Sequence, residues 1–208
     1  MNSASKWSVA AGVFGIAALG AFWPAVVVPA QTQESSAAAH EITIEVDAAK
    51  SKVHYTLETT VHTVHGMFAL KDGSKLHFDP TTGKASGELA AYATSGESGN
   101  KSRDERMYKE ILETRKYPDF VFRPNQVEGK VNPEGASDIK LHGVMSIHGG
   151  EHEIVAQVHE ELAGGQCKGT AKFDVPYIEW GIKDPSNWLL KVKPVVHVEV
   201  EIAGAEKH

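Results

Sequence analysis

Histidine is the residue type best placed to do chemistry in this 208-residue chain, with eleven copies. His62 and His65 stand three apart. On a strand those positions face opposite sides, so the pair cannot clamp one metal unless the chain turns there. His148 and His152 flank Gly149-Gly150 and could face each other across a hairpin. Two ligands are too few for a tetrahedral site, and the sequence indicates no third. His54, His77, His142, His159 and His197 alternate with or flank apolar residues, as solvated strand histidines do. Weak metal binding by some of these imidazoles stands as the alternative. The single cysteine, Cys167, excludes an internal disulfide and any zinc site built on several cysteines. Lys168 beside it could lower its pKa, but no partner marks it as a nucleophile. Glu45, Asp47, Glu58, Glu151, Glu153, Glu160, Glu161, Glu199 and Glu201 read as a solvated face. Gly-x-Ser-x-Gly, Walker and dinucleotide fingerprints are absent from the sequence. The expectation is therefore a protein that is not an enzyme, with no catalytic residue, no metal and no cofactor. A formal net charge of −6 disfavours nucleic acid as a partner.

The elements that would position these residues are mostly strands. Ile42, Ile44 and Val46 alternate with polar residues, as do Val53, Tyr55 and Leu57 after Asp47-Ala48-Ala49-Lys50. Leu76 and Phe78 follow one turn, and Leu89, Ala91 and Ala93 follow another. Phe120 and Phe122 lie ahead of the turn residues Pro124-Asn125. Ile139 to Ile147 and Ile154 to Val158 read as two arms of a hairpin. Ala171, Phe173 and Val175 follow Gly164-Gly165, and Val196 to Ile202 closes the pattern. Period-2 alternation buries one row and wets the other. Many such strands on short turns make an all-β antiparallel sandwich or barrel. One stretch differs. Ser102-Arg103-Asp104-Glu105 has the spacing of a capping box. Met107, Tyr108, Ile111 and Leu112 then share a helical face, and Pro118 stops the helix. This predicts one amphipathic helix near residues 103–114. Its apolar stripe suits the open end of a sheet structure. Arg103 and Asp104 either orient a polar head group or pin the helix, and a capped helix needs the pinning.

Residues 1–30 read as a signal peptide: Trp7 to Ala30 carries no charge, and Lys6 precedes it. An uncleaved membrane anchor is the rival reading, with membrane contact through this segment. Residues 31–40 read as a flexible Gln/Ser/Ala linker, and residues 41–208 as one domain. Phe68, Tyr92, Phe120, Phe122, Phe173, Tyr177, Trp180 and Trp188 are spread along that domain. They either fill an ordinary core or line a cavity. An eight-stranded closed sheet is just wide enough for either.

The order of several short blocks resembles the YceI-like family, whose members bind polyisoprenoids in a lipocalin-like barrel. The blocks run from Asp47-x-x-x-Ser51-x-Val53-x-Tyr55 to His62-Thr63-Val64-His65-Gly66-x-Phe68, then to Phe78-Asp79-Pro80 and Thr94-Ser95-Gly96. Gly99-Asn100-x-Ser102-Arg103-Asp104, Tyr117-Pro118-x-Phe120-x-Phe122, His142-Gly143-x-Met145-x-Ile147-His148-Gly149 and Trp180-Gly181-Ile182-Lys183-Asp184-Pro185-Ser186 follow. The resemblance covers about Ile42 to Gly204. It implies an antiparallel lipocalin-like β-barrel of about eight or more strands, with the helix as lid or plug. It also implies an apolar tunnel for an isoprenoid lipid or quinone tail, and a periplasmic or secreted setting. The residues expected to line that tunnel are Val53, Tyr55, Leu57, Phe68, Tyr92, Met107, Ile111, Phe120, Phe122, Phe173 and Trp188. The sequence leaves a homodimer open as a further partner. A periplasmic stress or structural protein with a packed barrel is the competing reading.

Overall fold

The computed structural model describes residues 41–207. The expected signal peptide or anchor and the expected linker lie outside those residues. Ten strands follow in order: β1 (Ile42–Val46), β2 (Lys52–Thr59), β3 (Thr63–Phe68), β4 (Lys75–Phe78), β5 (Ala85–Tyr92), β6 (Asp119–Glu128), β7 (Gly135–Ile147), β8 (Gly150–Ala163), β9 (Gln166–Val175) and β10 (Val192–Lys207). Their lateral order is β1-β4-β5-β6-β7-β8-β9-β10-β2-β3, and β10 also pairs with β1. The sheet therefore closes on itself, with every ladder antiparallel.

Ten strands make eight staves, because two staves are broken. β1 and β2 lie end to end along β10: Val46 faces Gly204 and Lys52 faces Glu201. Between them the chain steps out through Asp47–Lys50, and Ser51 repairs the ladder. Its buried hydroxyl accepts the Ala203 N–H at 3.0 Å and donates to the Asp47 carbonyl at 2.8 Å. β3 and β4 form the next stave in the same way, with Leu70 bridging to Ala91 of β5 beyond the β4–β5 ladder. The result is an up-and-down barrel of the lipocalin-like kind, which removes free sheet edges.

Alternation along each strand decides what faces inward. On β8, Ile154, Ala156, Val158, Glu160 and Leu162 form the inner row, and Val155, Gln157, His159 and Glu161 the outer one. Two glycines allow close contacts. Gly66 lies against the Tyr55 ring, where a Cβ would stand 2.4 Å from Cζ. Gly87, at φ 111°, faces Leu76 so closely that a Cβ would meet the Lys75 carbonyl oxygen at 2.1 Å.

Three local expectations are corrected. Pro124-Asn125 does not end a strand. β6 runs through it with a register shift between Pro124 and Gln126, the bulge setting in which proline's missing N–H is tolerated. Ala93 leaves β5 to open a single 3₁₀ turn, Ala93–Ser95. The helix α1 (Lys101–Arg106) begins earlier than the capping-box spacing suggests. Its N-cap is Asn100, whose side chain accepts the Arg103 N–H at 3.1 Å, and Ser102 lies inside the helix. α1 continues into a π-helical turn, Met107–Ile111, closed by the Leu112 N–H donating to the Met107 carbonyl at 2.8 Å.

Candidate functional site: an apolar bore under a helical lid

The barrel is not filled solid. Its interior holds a cavity of about 390 Å³, within the range of small-molecule sites. The lining is almost wholly apolar and comes from every stave. At one end Ile42, Ile44, Leu162 and Cys167 pack together, with Phe78 and Val131 against them, and close the bore. At the other end Thr59, His62, Arg103, Arg106, Pro185 and Leu190 line it. His62 and Arg106 are exposed residues as well as lining ones, so the bore reaches the surface there.

The lid sits over this mouth. Met107, Ile111 and Leu112 face the bore. Below them Tyr55, Phe68 and Phe120 form an aromatic cluster, with ring centroids 5.3 Å apart for Tyr55–Phe68 and 5.1 Å for the edge-on Phe68–Phe120 pair. The Tyr55 hydroxyl donates to Met107 Sδ at 3.8 Å. Polar contacts at the mouth fix the lid. Asp104 accepts from the Ser98 N–H at 3.0 Å and from the Ser98 hydroxyl. Arg103 donates from Nε to Ser98 Oγ at 2.7 Å and from Nη2 to the Ser98 carbonyl at 2.6 Å. Tyr108 donates to the Gly96 carbonyl. Arg103 and Asp104 thus pin the helix.

Of the eleven residues expected to line a tunnel, Val53, Tyr55, Leu57, Phe68, Met107, Ile111, Phe120, Phe122 and Phe173 face this bore. Tyr92 and Trp188 do not. Tyr92 falls in the outer row of β5, half-exposed, with Lys71 Nζ 5.1 Å above its ring and Lys71 paired to Asp119 at 2.9 Å. Trp188 belongs to a turn beyond the strands and is 89% exposed. Sequence reasoning passed over Leu70, Leu76, Leu141, Ile154, Val198 and Val200, which share the lining.

Two interior polar groups matter more: Glu160, expected on the solvated face, and Tyr177, expected in a core or cavity. Glu160 points inward two residues before Leu162, and its Oε1 has no hydrogen-bond partner among the described residues. Burial raises its carboxyl above the ordinary 4.5, against smaller opposing pulls from the Ser137 hydrogen bond and the His159 charge. Tyr177, buried in the segment after β9, likewise leaves its hydroxyl without a hydrogen-bond partner among the described residues, and burial pushes that phenol up to about 12. Cys167 lines the bore, and burial, helped by Glu160 and Glu206, pushes its thiol up to about 12. A thiol so poorly ionised is a weak nucleophile.

Glu160 carries a pH prediction. A carboxyl whose folded pKa is raised binds its proton more tightly in the native state than in the unfolded one. Stability is then fullest below 4.5 and falls as pH rises through the raised value. Glu160→Gln removes this dependence. Thermal melts should coincide for the two proteins near about pH 4, and the variant should be more stable by about 1 kcal/mol near about pH 8. Parallel melting curves across that range would contradict an inward, desolvated carboxyl.

The histidines take other roles. His142, His159 and His197 face Glu128, Asp138 and Asp174 at 3.2, 2.8 and 2.6 Å on the outer surface. His148 reaches Glu113 at 2.9 Å. His152 stacks on Trp180 with centroids 4.2 Å apart. Among the described residues no three His, Cys, Asp or Glu side chains gather as a metal would require.

A closed antiparallel barrel with an apolar bore and a helical lid defines a lipocalin-like barrel protein. The model of the YceI-like domain matches residues 44–204, and the chain belongs to that family. Solved structures with the same fold include BcnA of Burkholderia cenocepacia, at 16% identity and TM-score 0.62, covering 76% of this chain and 98% of that one. A polyisoprenoid binding domain from Saccharophagus degradans, implicated in plant cell wall breakdown, matches at 14% identity and TM-score 0.57, covering 79% and 98%. The YCEI protein of Campylobacter jejuni matches at 19% identity and TM-score 0.57, covering 72% and 88%. No curated protein matches the chain.

Proposed function

We propose that this protein is a carrier or store for an isoprenoid-type lipid, such as a polyprenyl or quinone tail, held in the bore, and that it acts in the periplasm or outside the cell. The observation that carries the reading is the apolar cavity of about 390 Å³, open at the lid end and blind at the other. From Cys167 at the blind end to Val175 near the mouth, β9 runs about 25 Å, so the bore is long as well as narrow. An isoprenoid chain in water costs about 0.8 kcal/mol per exposed methylene-sized unit, and an apolar tube removes that cost without directional contacts. The polyisoprenoid-binding domain among the structural relatives supports the same ligand class. The charge-free run from Trp7 to Ala30 supports export. Binding rather than catalysis suits a lining whose one thiol is poorly ionised and whose one inward carboxyl is half-buried with its pKa raised. Detergent-free purification, organic extraction and mass spectrometry test the reading. An isoprenoid lipid recovered in near-stoichiometric amount is expected. Recovery of none, together with no uptake of added polyprenol, would sink it.

A further inference from the structure

The fold leaves three apolar side chains in water at the rim of the mouth. Val61, Trp188 and Leu189 are 72, 89 and 71% exposed. They come from two distant segments that are tied together: the Thr60 N–H donates to the Lys191 carbonyl at 2.9 Å, and the Lys191 N–H donates to Thr60 Oγ1 at 3.3 Å. The turn that presents Trp188 is itself fixed. Asn187 Oδ1 accepts from the N–H groups of Leu189 and Leu190 at 2.9 and 2.8 Å, and the Asn187 N–H donates to the Leu190 carbonyl at 2.9 Å. The exposure is therefore built in by hydrogen bonds. The chain neighbours of these side chains, His62 and Leu190, line the bore, so the apolar rim is continuous with its mouth.

We propose that this rim is a membrane-docking tip: Val61, Trp188 and Leu189 enter the interfacial layer of a phospholipid surface, and the bore opens directly onto the bilayer. This rests on the lipid-carrier reading and extends it to the source of the lipid. Tryptophan suits the headgroup level, where its apolar body and polar N–H are both accommodated. Lys191 and Lys193, exposed on the adjoining segment, supply charge for lipid phosphates. A protein partner fits less well. Three side chains offer on the order of a few hundred Å², short of the roughly 800 Å² per partner that a stable protein interface buries.

The test uses the full chain with Val61→Cys carrying an environment-sensitive nitrobenzoxadiazole dye. Cys167 does not compete for the label, because its thiol is buried. Vesicles of phosphatidylethanolamine with a minority of phosphatidylglycerol are added, with and without a doxyl-labelled lipid. Dye emission should rise with vesicles and be quenched by the doxyl lipid. Adding Trp188→Ala and Leu189→Ser should raise the vesicle concentration needed by about tenfold or more, while polyprenol affinity in solution stays the same. The N-terminal segment is present in both proteins, so the difference reads the rim. Emission indifferent to vesicles would overturn the proposal, as would a rise that doxyl lipid does not quench, the signature of a protein or second copy covering the rim. Polyprenol uptake is measured separately, so its failure would strike the carrier reading and leave the docking result legible.

Discussion

Ala171→Phe is expected to lower isoprenoid affinity by about 100-fold while leaving the barrel folded. Ala171 lies midway along β9, between Val158 of β8 and Val200 of β10, and lines the bore. It is only partly covered, because its open side is the cavity. A phenyl ring there grows into empty space and displaces about four carbons of a threaded chain. At about 0.8 kcal/mol per carbon the loss is about 3 kcal/mol, which is the 100-fold. Overpacking a dense core would cost about 1–3 kcal/mol, but a ring entering a void should leave the melting temperature level or raise it. Displacement of a fluorescent polyprenol, read with a thermal melt, gives both quantities. Lys172→Phe, one residue along on the outer row, is the control and should leave uptake alone. A folded Ala171→Phe protein with full affinity would mean that the ligand lies elsewhere.

The barrel is legible in the sequence because the period of two survives along whole strands. On β8 it names every inner residue, and on β10 it carries Val196, Val198, Val200 and Ile202. The same period, followed strictly, also places Glu160 inside and Tyr92 outside. Both were misplaced because residue type was allowed to override position: an acid was assumed to be wet and an aromatic dry. Trp188 had no such corrective, since the segment between β9 and β10 has no period to read. The π-helical turn was equally hidden, because Met107 and Ile111 share a face in either kind of helix. The hollow is the deepest omission. Alternation tells which side chains point inward but not how far apart facing staves stand. That distance comes from the closure of eight staves, which depends on the paired register of β10 with both β1 and β2.

The blind end of the bore should act as the ruler for chain length, and Leu162→Ala is the substitution that reads it. Leu162 is 2% exposed and packs with Ile42, Ile44 and Cys167 where the bore stops. Truncation to alanine removes three carbons from a site with no room to collapse, because strands hold it on every side. The expected cost is about 3 kcal/mol. For a domain of this size that lowers the melting temperature by about 10 °C. A hole in a sealed core would end the matter there. This one joins the bore, so a longer chain can refill it and regain part of what was lost, about 0.8 kcal/mol for each added carbon buried. The variant should therefore prefer a longer polyprenol than the parent does, and saturating amounts of it should raise the variant's melting temperature by more than the parent's. Competition among polyprenols of graded length measures the preference. A variant that is destabilised yet keeps the parent's length preference would show that the chain ends short of Leu162, and that the packed floor supports the fold without sizing the ligand.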